Sequence, residues 1–201
     1  MTSIVAENLI CIRGNRLVFR DVAFRVEAGQ VLSLEGPNGA GKSSLLRMLA
    51  GFLKPAAGTI VFSSDGADIS DGEERGRFAG WLGHNDAAKP QLSPRESLRF
   101  FCELYRVHAN VDAALDEAGL GKARDLPSQY LSAGQKKRLS LARLKASGRP
   151  LWLLDEPLAA LDTAGKALAA SFIGAHCAAG GMAIAATHEP LGLDSARLSL
   201  A

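Results

Sequence analysis

Nine consecutive residues, Gly36-Pro37-Asn38-Gly39-Ala40-Gly41-Lys42-Ser43-Ser44, combine three glycines with a lysine and two hydroxyls. Glycines at this spacing let the backbone turn tightly with its N–H groups aimed inward, toward the positive end of a following helix. An anion belongs in such a loop. Lys42 can reach the β- and γ-phosphates of a nucleotide, and the Ser43 hydroxyl can join a Mg²⁺ that bridges them, the other metal sites going to water and phosphate oxygens. Two carboxylates extend the set: Asp155 closes the apolar run Leu151-Trp152-Leu153-Leu154, and Glu156 follows at once. A strand-end aspartate holds the Mg²⁺ that the loop serine also reaches. The glutamate can orient and partly deprotonate the water that attacks the γ-phosphate.

Bringing these groups together requires strands that end at one edge. Val31 to Leu34 before the loop and Leu45 to Ala50 after it give strand, glycine turn, helix. Ahead of them, Ile4 to Ile12 and Leu17 to Val26 alternate apolar and polar residues around Gly14-Asn15, which predicts antiparallel strands or a hairpin. A strand at 59–62 follows, and the polar, glycine-rich stretch 63–77 reads as a surface loop with a weak turn of helix. Phe78 to Gly83 reads as a short buried strand leading to His84-Asn85-Asp86. Ser93, Pro94 and Glu96 form a capping box that opens an amphipathic helix to about Val107, with a second helix over Asn110 to Ala118. Pro90 to Arg124 is thus expected to be a small inserted helical subdomain, reaching about residue 145 once the helix Ala133–Ala146 is counted. The strand ending at Asp155, a helix from Thr163 to about Ala178, the strand Met182–Thr187 and a last edge strand at Arg197–Leu200 complete the chain. Such alternation predicts an α/β fold with a mainly parallel sheet covered on both faces. Ligands then sit at the carboxyl ends of the strands, where the loop, Asp155-Glu156 and His188 all lie.

The 201 residues suit one domain, 1–201, and the composition, 47% hydrophobic and 22% charged, supports a packed core rather than a disordered chain. A net charge of +2 implies no general polyanion-binding surface. Lys136-Lys137-Arg138 reads as a solvated helix face, so nucleic acid is not an expected partner. Cys11, Cys102 and Cys177 are too far apart for a metal set or a disulfide framework and read as buried reduced thiols. No secretory signal is visible, and no run approaches the ~18–20 apolar residues of a spanning helix. The expected location is the cytoplasm, with any membrane role exercised through a partner.

Leu131-Ser132-Ala133-Gly134-Gln135 resembles the signature sequence of ATP-binding cassette (ABC) ATPases, which likewise precedes the aspartate-ending strand. Ala160 to Asp162 resembles the D-loop of that family, and Thr187-His188 resembles its switch histidine. The motifs occur in the family's order over nearly the whole chain. The resemblance implies a P-loop NTPase of ABC type, with an N-terminal antiparallel β subdomain and an inserted helical one, that binds ATP and Mg²⁺. It implies Glu156 and His188 as catalytic residues, with His188 contacting the γ-phosphate and fixing Glu156 and water. It further implies that Ser132, Ala133, Gly134 and Gln135 meet the γ-phosphate of ATP held by a second copy, in a head-to-tail dimer sandwiching two nucleotides, with Asp162 in the D-loop.

More narrowly, LSAGQKKRLSLARL, PLWLLDEPLAALD, GGMAIAATHEP and WLGHN resemble the ATP-binding subunits of the haem exporter system of cytochrome c maturation. That implies integral membrane partners and a peripheral position on the cytoplasmic face of the bacterial inner membrane, with hydrolysis driving haem transfer or release of a haem chaperone. The alternatives are an ABC transporter ATPase for another substrate and a soluble regulatory ABC ATPase. Two positions depart from the family pattern: Asn85 stands where a Mg²⁺-sensing glutamine is usual, and Arg13 or Ile12 stands near the place of the adenine-stacking aromatic.

Overall fold

The structure, a computed structural model, describes residues 2–64, 66–83 and 89–200. Strands β1 (Ser3–Arg13) and β2 (Arg16–Glu27) form the expected hairpin. Gly14 and Asn15 both take positive φ, 52° and 61°, the turn whose twist matches its flanking strands. Strand β3 (Val31–Glu35) runs into the phosphate loop and helix α1 (Lys42–Leu49). Next come β4 (Ala57–Ser64) and β5 (Ala67–Ile69), which extend the hairpin into an antiparallel sheet of order β2-β1-β4-β5.

The stretch expected to be a surface loop thus holds a short strand and then a helix, α2 (Gly72–Phe78). Asp71 caps that helix, its side chain accepting from the N–H groups of Glu73 and Glu74. Its inward residue is Arg75, 6% exposed, lying over the Phe62 ring and donating to the carbonyls of Ile60 at 2.9 Å and Met48 at 3.4 Å. An arginine is the inward anchor here, which a search for apolar periodicity passes over. Strand β6 (Ala79–Leu82) follows, then the helices α3 (Pro94–Tyr105), α4 (Val111–Glu117) and α5 (Ala133–Ala146). The expected capping box on α3 is present, with Ser93 and Glu96 each bonding the other's backbone N–H. Arg95 and Arg124 tie the α3–α4 region together through Asp112, Asp116 and Asp125.

The chain ends with β7 (Leu151–Asp155), α6 (Thr163–Ala178), β8 (Met182–Ala186) and β9 (Ala196–Ser199). Together β6, β7, β8, β3 and β9 make a second sheet in that order, with every pairing parallel. Both its faces are covered, as the unbroken apolar strands require. Leu151 and Leu153 of β7, with Met182 and Ile184 of β8, face α1 and the antiparallel sheet, joining Leu9, Phe19, Leu45 and Phe62 in one core. Trp152, Leu154, Ala183 and Ala185 face the other way, packing with Leu98, Leu139, Phe172 and Ile173 of the helices.

The basic run on α5 differs from expectation. Lys137 is buried, its Nζ donating to the Gly83 carbonyl at 3.4 Å, and Arg138 reaches the Gly119 carbonyl at 3.3 Å. All three cysteines are free and buried, and burial pushes the Cys177 thiol up to about 11.

Candidate functional site

Sequence and packing fix the phosphate loop from both sides. Gly36 has φ 140°, and a Cβ there would stand 2.2 Å from the Leu200 carbonyl oxygen. Gly41 is the N-cap of α1 with φ 99°, and its missing Cβ leaves room for Val18 and Phe19 of β2, whose carbons a methyl would approach to 2.7 Å. No side chain caps α1, so the helix presents its first N–H groups to the loop, an arrangement suited to an anion. Lys42 is 8% exposed. Its Nζ donates to the carbonyls of Gly36 at 2.6 Å and Pro37 at 3.2 Å and lies 3.4 Å from His188 Nε2.

Beside the loop, Ser43 Oγ donates to Asp155 Oδ1 at 3.1 Å. A hydroxyl and a carboxylate already in contact fit Mg²⁺, a hard cation that keeps most of its ligands as water and phosphate. No group of three or more His, Cys, Asp or Glu able to hold a metal occurs among the described residues, so a transition-metal cage is not what this donor set resembles. Glu156 takes a positive φ of 51° while its N–H donates to the Ala186 carbonyl at 2.9 Å. A non-glycine residue in that region is held there by its surroundings. The twist leaves Glu156 Oε1 3.5 Å from His188 Nε2, so Glu156, His188 and Lys42 form a continuous line across the carboxyl ends of β7, β8 and β3.

These groups surround a cavity of about 710 Å³ lined by Pro37 to Gly39, Gly41 to Ser44, Asp155, Glu156 and His188, together with Arg13, Val18, Arg47 and Ala159. Arg13 therefore shares the cavity with the phosphate loop. Val18 and Arg47 are additions that sequence reasoning missed: Val18 arrives from the hairpin and Arg47 lies three residues after Ser44 on one helix face. Only the helical spacing of Arg47 offered a signal.

The signature residues sit elsewhere, at the start of α5. Ser132 Oγ accepts from the Gln135 N–H at 3.2 Å and Gln135 Oε1 accepts from the Ser132 N–H at 2.8 Å, a closed capping box. Ala133 begins the helix. Gly134 packs so closely on the D-loop that a Cβ would lie 2.9 Å from the Ala160 carbonyl oxygen. Asp162 caps α6 by accepting from the Gly165 N–H at 2.7 Å. Asn85 lies outside the described residues.

A family model described as ABC transporter matches residues 19–159. The cytochrome c biogenesis ATP-binding export protein CcmA of Paramagnetospirillum magneticum is 47% identical over 197 residues, covering 96% of this chain and 90% of its own length. The protein of that name from Rhodopseudomonas palustris is 47% identical over 193 residues, covering 96% and 94%, and that from Mesorhizobium japonicum 46% over 198, covering 98% and 97%. Among solved structures, an ABC transporter ATP-binding protein from Pyrococcus furiosus shares the fold, with a TM-score of 0.84 at 22% identity over 100% of this chain and 98% of that one. A bacterial Atm1-family ABC exporter with ATP bound gives 0.84 at 25% identity, over 99% of this chain and 37% of that one. The chain belongs to the ABC transporter ATP-binding family, in the branch of the cytochrome c biogenesis ATP-binding export proteins. It is an ATPase, and no helix among the described residues is long and apolar enough to cross a membrane.

Proposed function

We propose that this chain hydrolyses ATP as the cytoplasmic-face subunit of an inner-membrane complex for haem export in cytochrome c maturation. The observation that carries the ATPase reading is the line Lys42–His188–Glu156 beside the Ser43–Asp155 pair. The maturation role rests on the 46–47% identity to proteins of that printed function along nearly their whole lengths.

In this reading the phosphate chain lies in the loop Gly36–Ser44, and Lys42 exchanges its bonds to the Gly36 and Pro37 carbonyls for phosphate oxygens. Ser43 and Asp155 would hold Mg²⁺, which when bound supplies charge to offset that building on the β- and γ-phosphates. Glu156 accepts a proton from the attacking water as its oxygen bonds to the γ-phosphorus and ADP leaves. His188, in contact with both Lys42 and Glu156, holds the carboxylate toward that water. The chain acts as one cassette, residues 1–201, with its helical part over about 90–145. The Ser132–Gln135 end of α5 closes on ATP bound to a second copy, with Asp162 at the same junction, and hydrolysis reopens the pair to power haem transfer or release of the haem chaperone. Integral membrane subunits supply the substrate route and hold the chain at the membrane.

The test is maturation of c-type cytochromes in cells whose only copy carries Lys42→Ala or Glu156→Gln, with protein level checked. Loss of maturation at normal expression is the expected result. Intact maturation would leave the ATPase standing and move its substrate elsewhere.

A further inference from the structure

We infer that the ion pair between Lys166 of α6 and Glu189 is a positioning device, which passes the arrival of a second copy to His188 and so sets the rate of hydrolysis; the inference rests on the ATPase and pairing readings above. Lys166 Nζ donates to Glu189 Oε2. The two side chains are partly covered, 38% and 51% exposed. Each is anchored to a segment with a task of its own. On the α6 side that segment is the surface offered to the second copy. Lys166 lies one turn after Asp162, whose carboxylate caps the helix and whose carbonyl accepts from the Lys166 N–H at 2.8 Å. Ala160, just before, is held at φ 64° and packs on Gly134 of the signature through its carbonyl oxygen, 2.9 Å from where a Cβ would stand. Gly165 is shut in likewise, with Asp162 Oδ1 at 2.9 Å and Leu161 Cδ2 at 3.0 Å from the place of its Cβ. A displacement of Gly134 or Asp162 therefore meets little slack before it moves the first turn of α6, and Lys166 with it.

On the other side Glu189 belongs to a small closed loop. Thr187 Oγ1 donates to the Glu189 carbonyl at 2.9 Å and accepts from the Glu189 N–H at 3.1 Å, a side-chain turn that carries His188 at its tip. His188 Nε2 stands 3.5 Å from Glu156 Oε1 and 3.4 Å from Lys42 Nζ. Contacts of that length lie at the limit of a hydrogen bond, so a small shift of the 187–189 loop decides whether His188 holds the carboxylate. A half-exposed ion pair is weak as a stabiliser. That weakness suits a joint that shifts with every turnover, since coupling travels through contacts with two arrangements rather than through locked ones. Lys166 and Glu189 touch neither nucleotide nor water; they act through His188.

The test is a double-mutant cycle in the full chain with Mg²⁺, reading kcat for ATP, ATP affinity by calorimetry and the urea midpoint. Lys166→Glu and Glu189→Lys should each lower kcat by about three- to tenfold, because attraction gives way to repulsion of similar size. ATP affinity and the urea midpoint should stay close to those of the parent. The double variant rebuilds the pair with its charges exchanged and should recover kcat to within about twofold. Lys166→Arg, which keeps the pair, should turn over like the parent. Losses that add in the double variant would overturn the inference, as would single variants as fast as the parent. A loss confined to Glu189→Lys would place Glu189 on the site directly and remove Lys166 from any role. Losses of kcat matched by losses in the urea midpoint would make the pair a plain structural tie. Each of these results leaves the ATPase reading intact, whereas a parent chain that binds ATP without turning it over overturns that reading and the inference together.

Discussion

Two helices of this molecule begin with an anion site in prospect, and they begin differently. Helix α1 opens at Gly41 with no side-chain cap among the described residues, so its first N–H groups are open to water or a ligand. Helix α5 opens at Ser132 with both members of its capping box bonded, so the Gln135 N–H already has a partner within the chain. The contrast matches their proposed tasks. A loop that holds ATP within one subunit gains from waiting donors that the phosphates satisfy. A surface that meets ATP only when a second copy arrives must stay stable in its absence, and its cap has to loosen on contact. On that proposal affinity is concentrated in the first site, and switching in the second.

The largest test separates chemistry from both helix ends. Glu156→Gln should lower kcat by about 10²–10⁴, the usual worth of a positioned base, while ATP affinity by calorimetry stays close to that of the parent. Normal turnover would remove Glu156 from its role and leave the hydrolytic step to a group outside the described line.

Next in size is a break in the uncapped end. Gly41→Ala puts a methyl at φ 99° and 2.7 Å from Val18 and Phe19. Left-handed backbone costs about 1–2 kcal/mol for a residue with a Cβ, and overpacking adds about 1–3 kcal/mol. Urea unfolding should show a loss of about 2–5 kcal/mol on those figures, accompanied by weakened ATP binding. A loss below about 0.5 kcal/mol, the ordinary scatter of surface substitutions, would mean that β2 and the loop move apart freely and that the open cap is not held by the hairpin.

The two helix starts also differ in how far the sequence disclosed them. Both motifs are contiguous, so Gly36–Ser44 and Ser132–Gln135 could be read from residue type and spacing, as could the α3 capping box and the bounds of α5. Contributions from far along the chain could not. Val18 reaches the cavity only because the hairpin folds over Gly41, and Arg75 anchors α2 through carbonyls 15 and 27 residues away. The strand at 67–69 and the full extent of the helix at 72–78 were hidden because the one fully buried side chain of the stretch, Arg75, is charged, while Ile69 and Phe78 pack on the core only in part. Lys137 was misread for the same reason: its charge suggested solvent, whereas a carbonyl on the neighbouring β6 segment receives it.

A smaller effect is expected at the capped end. Ser132→Ala should cost about 1 kcal/mol of stability, the ordinary worth of an N-cap hydroxyl, and leave ATP binding to the isolated chain unchanged. Turnover should fall further than stability, and most steeply at low protein concentration, where pairing of copies limits the rate. Equal turnover at all concentrations would end the assignment of α5 to a second copy's nucleotide.

The subtlest difference lies between two capping boxes of the same form. In α3 the reciprocal residue is Glu96, which accepts from the Ser93 N–H at 2.8 Å and from its hydroxyl at 3.0 Å. Those bonds, the backbone one foremost, hold the Glu96 carboxyl below its ordinary value of 4.5. A depressed carboxylate binds its proton more weakly in the folded chain than in the unfolded one. Its stabilisation is therefore full above about pH 4.5 and is lost as the pH falls through the folded-state value. In α5 the same position is Gln135, which does not titrate. Glu96→Gln should make the acid limb of the thermal-unfolding profile shallower, and Gln135→Glu should steepen it. The second substitution also places an anion at the N-terminus meant for a γ-phosphate: favourable to the isolated helix, it should oppose ATP-driven pairing by like-charge repulsion. Gained stability at neutral pH together with reduced turnover would show that the neutral amide of Gln135 serves the arriving phosphate rather than the helix. Unchanged turnover would make it an ordinary cap, and the two helix starts would then differ in packing alone.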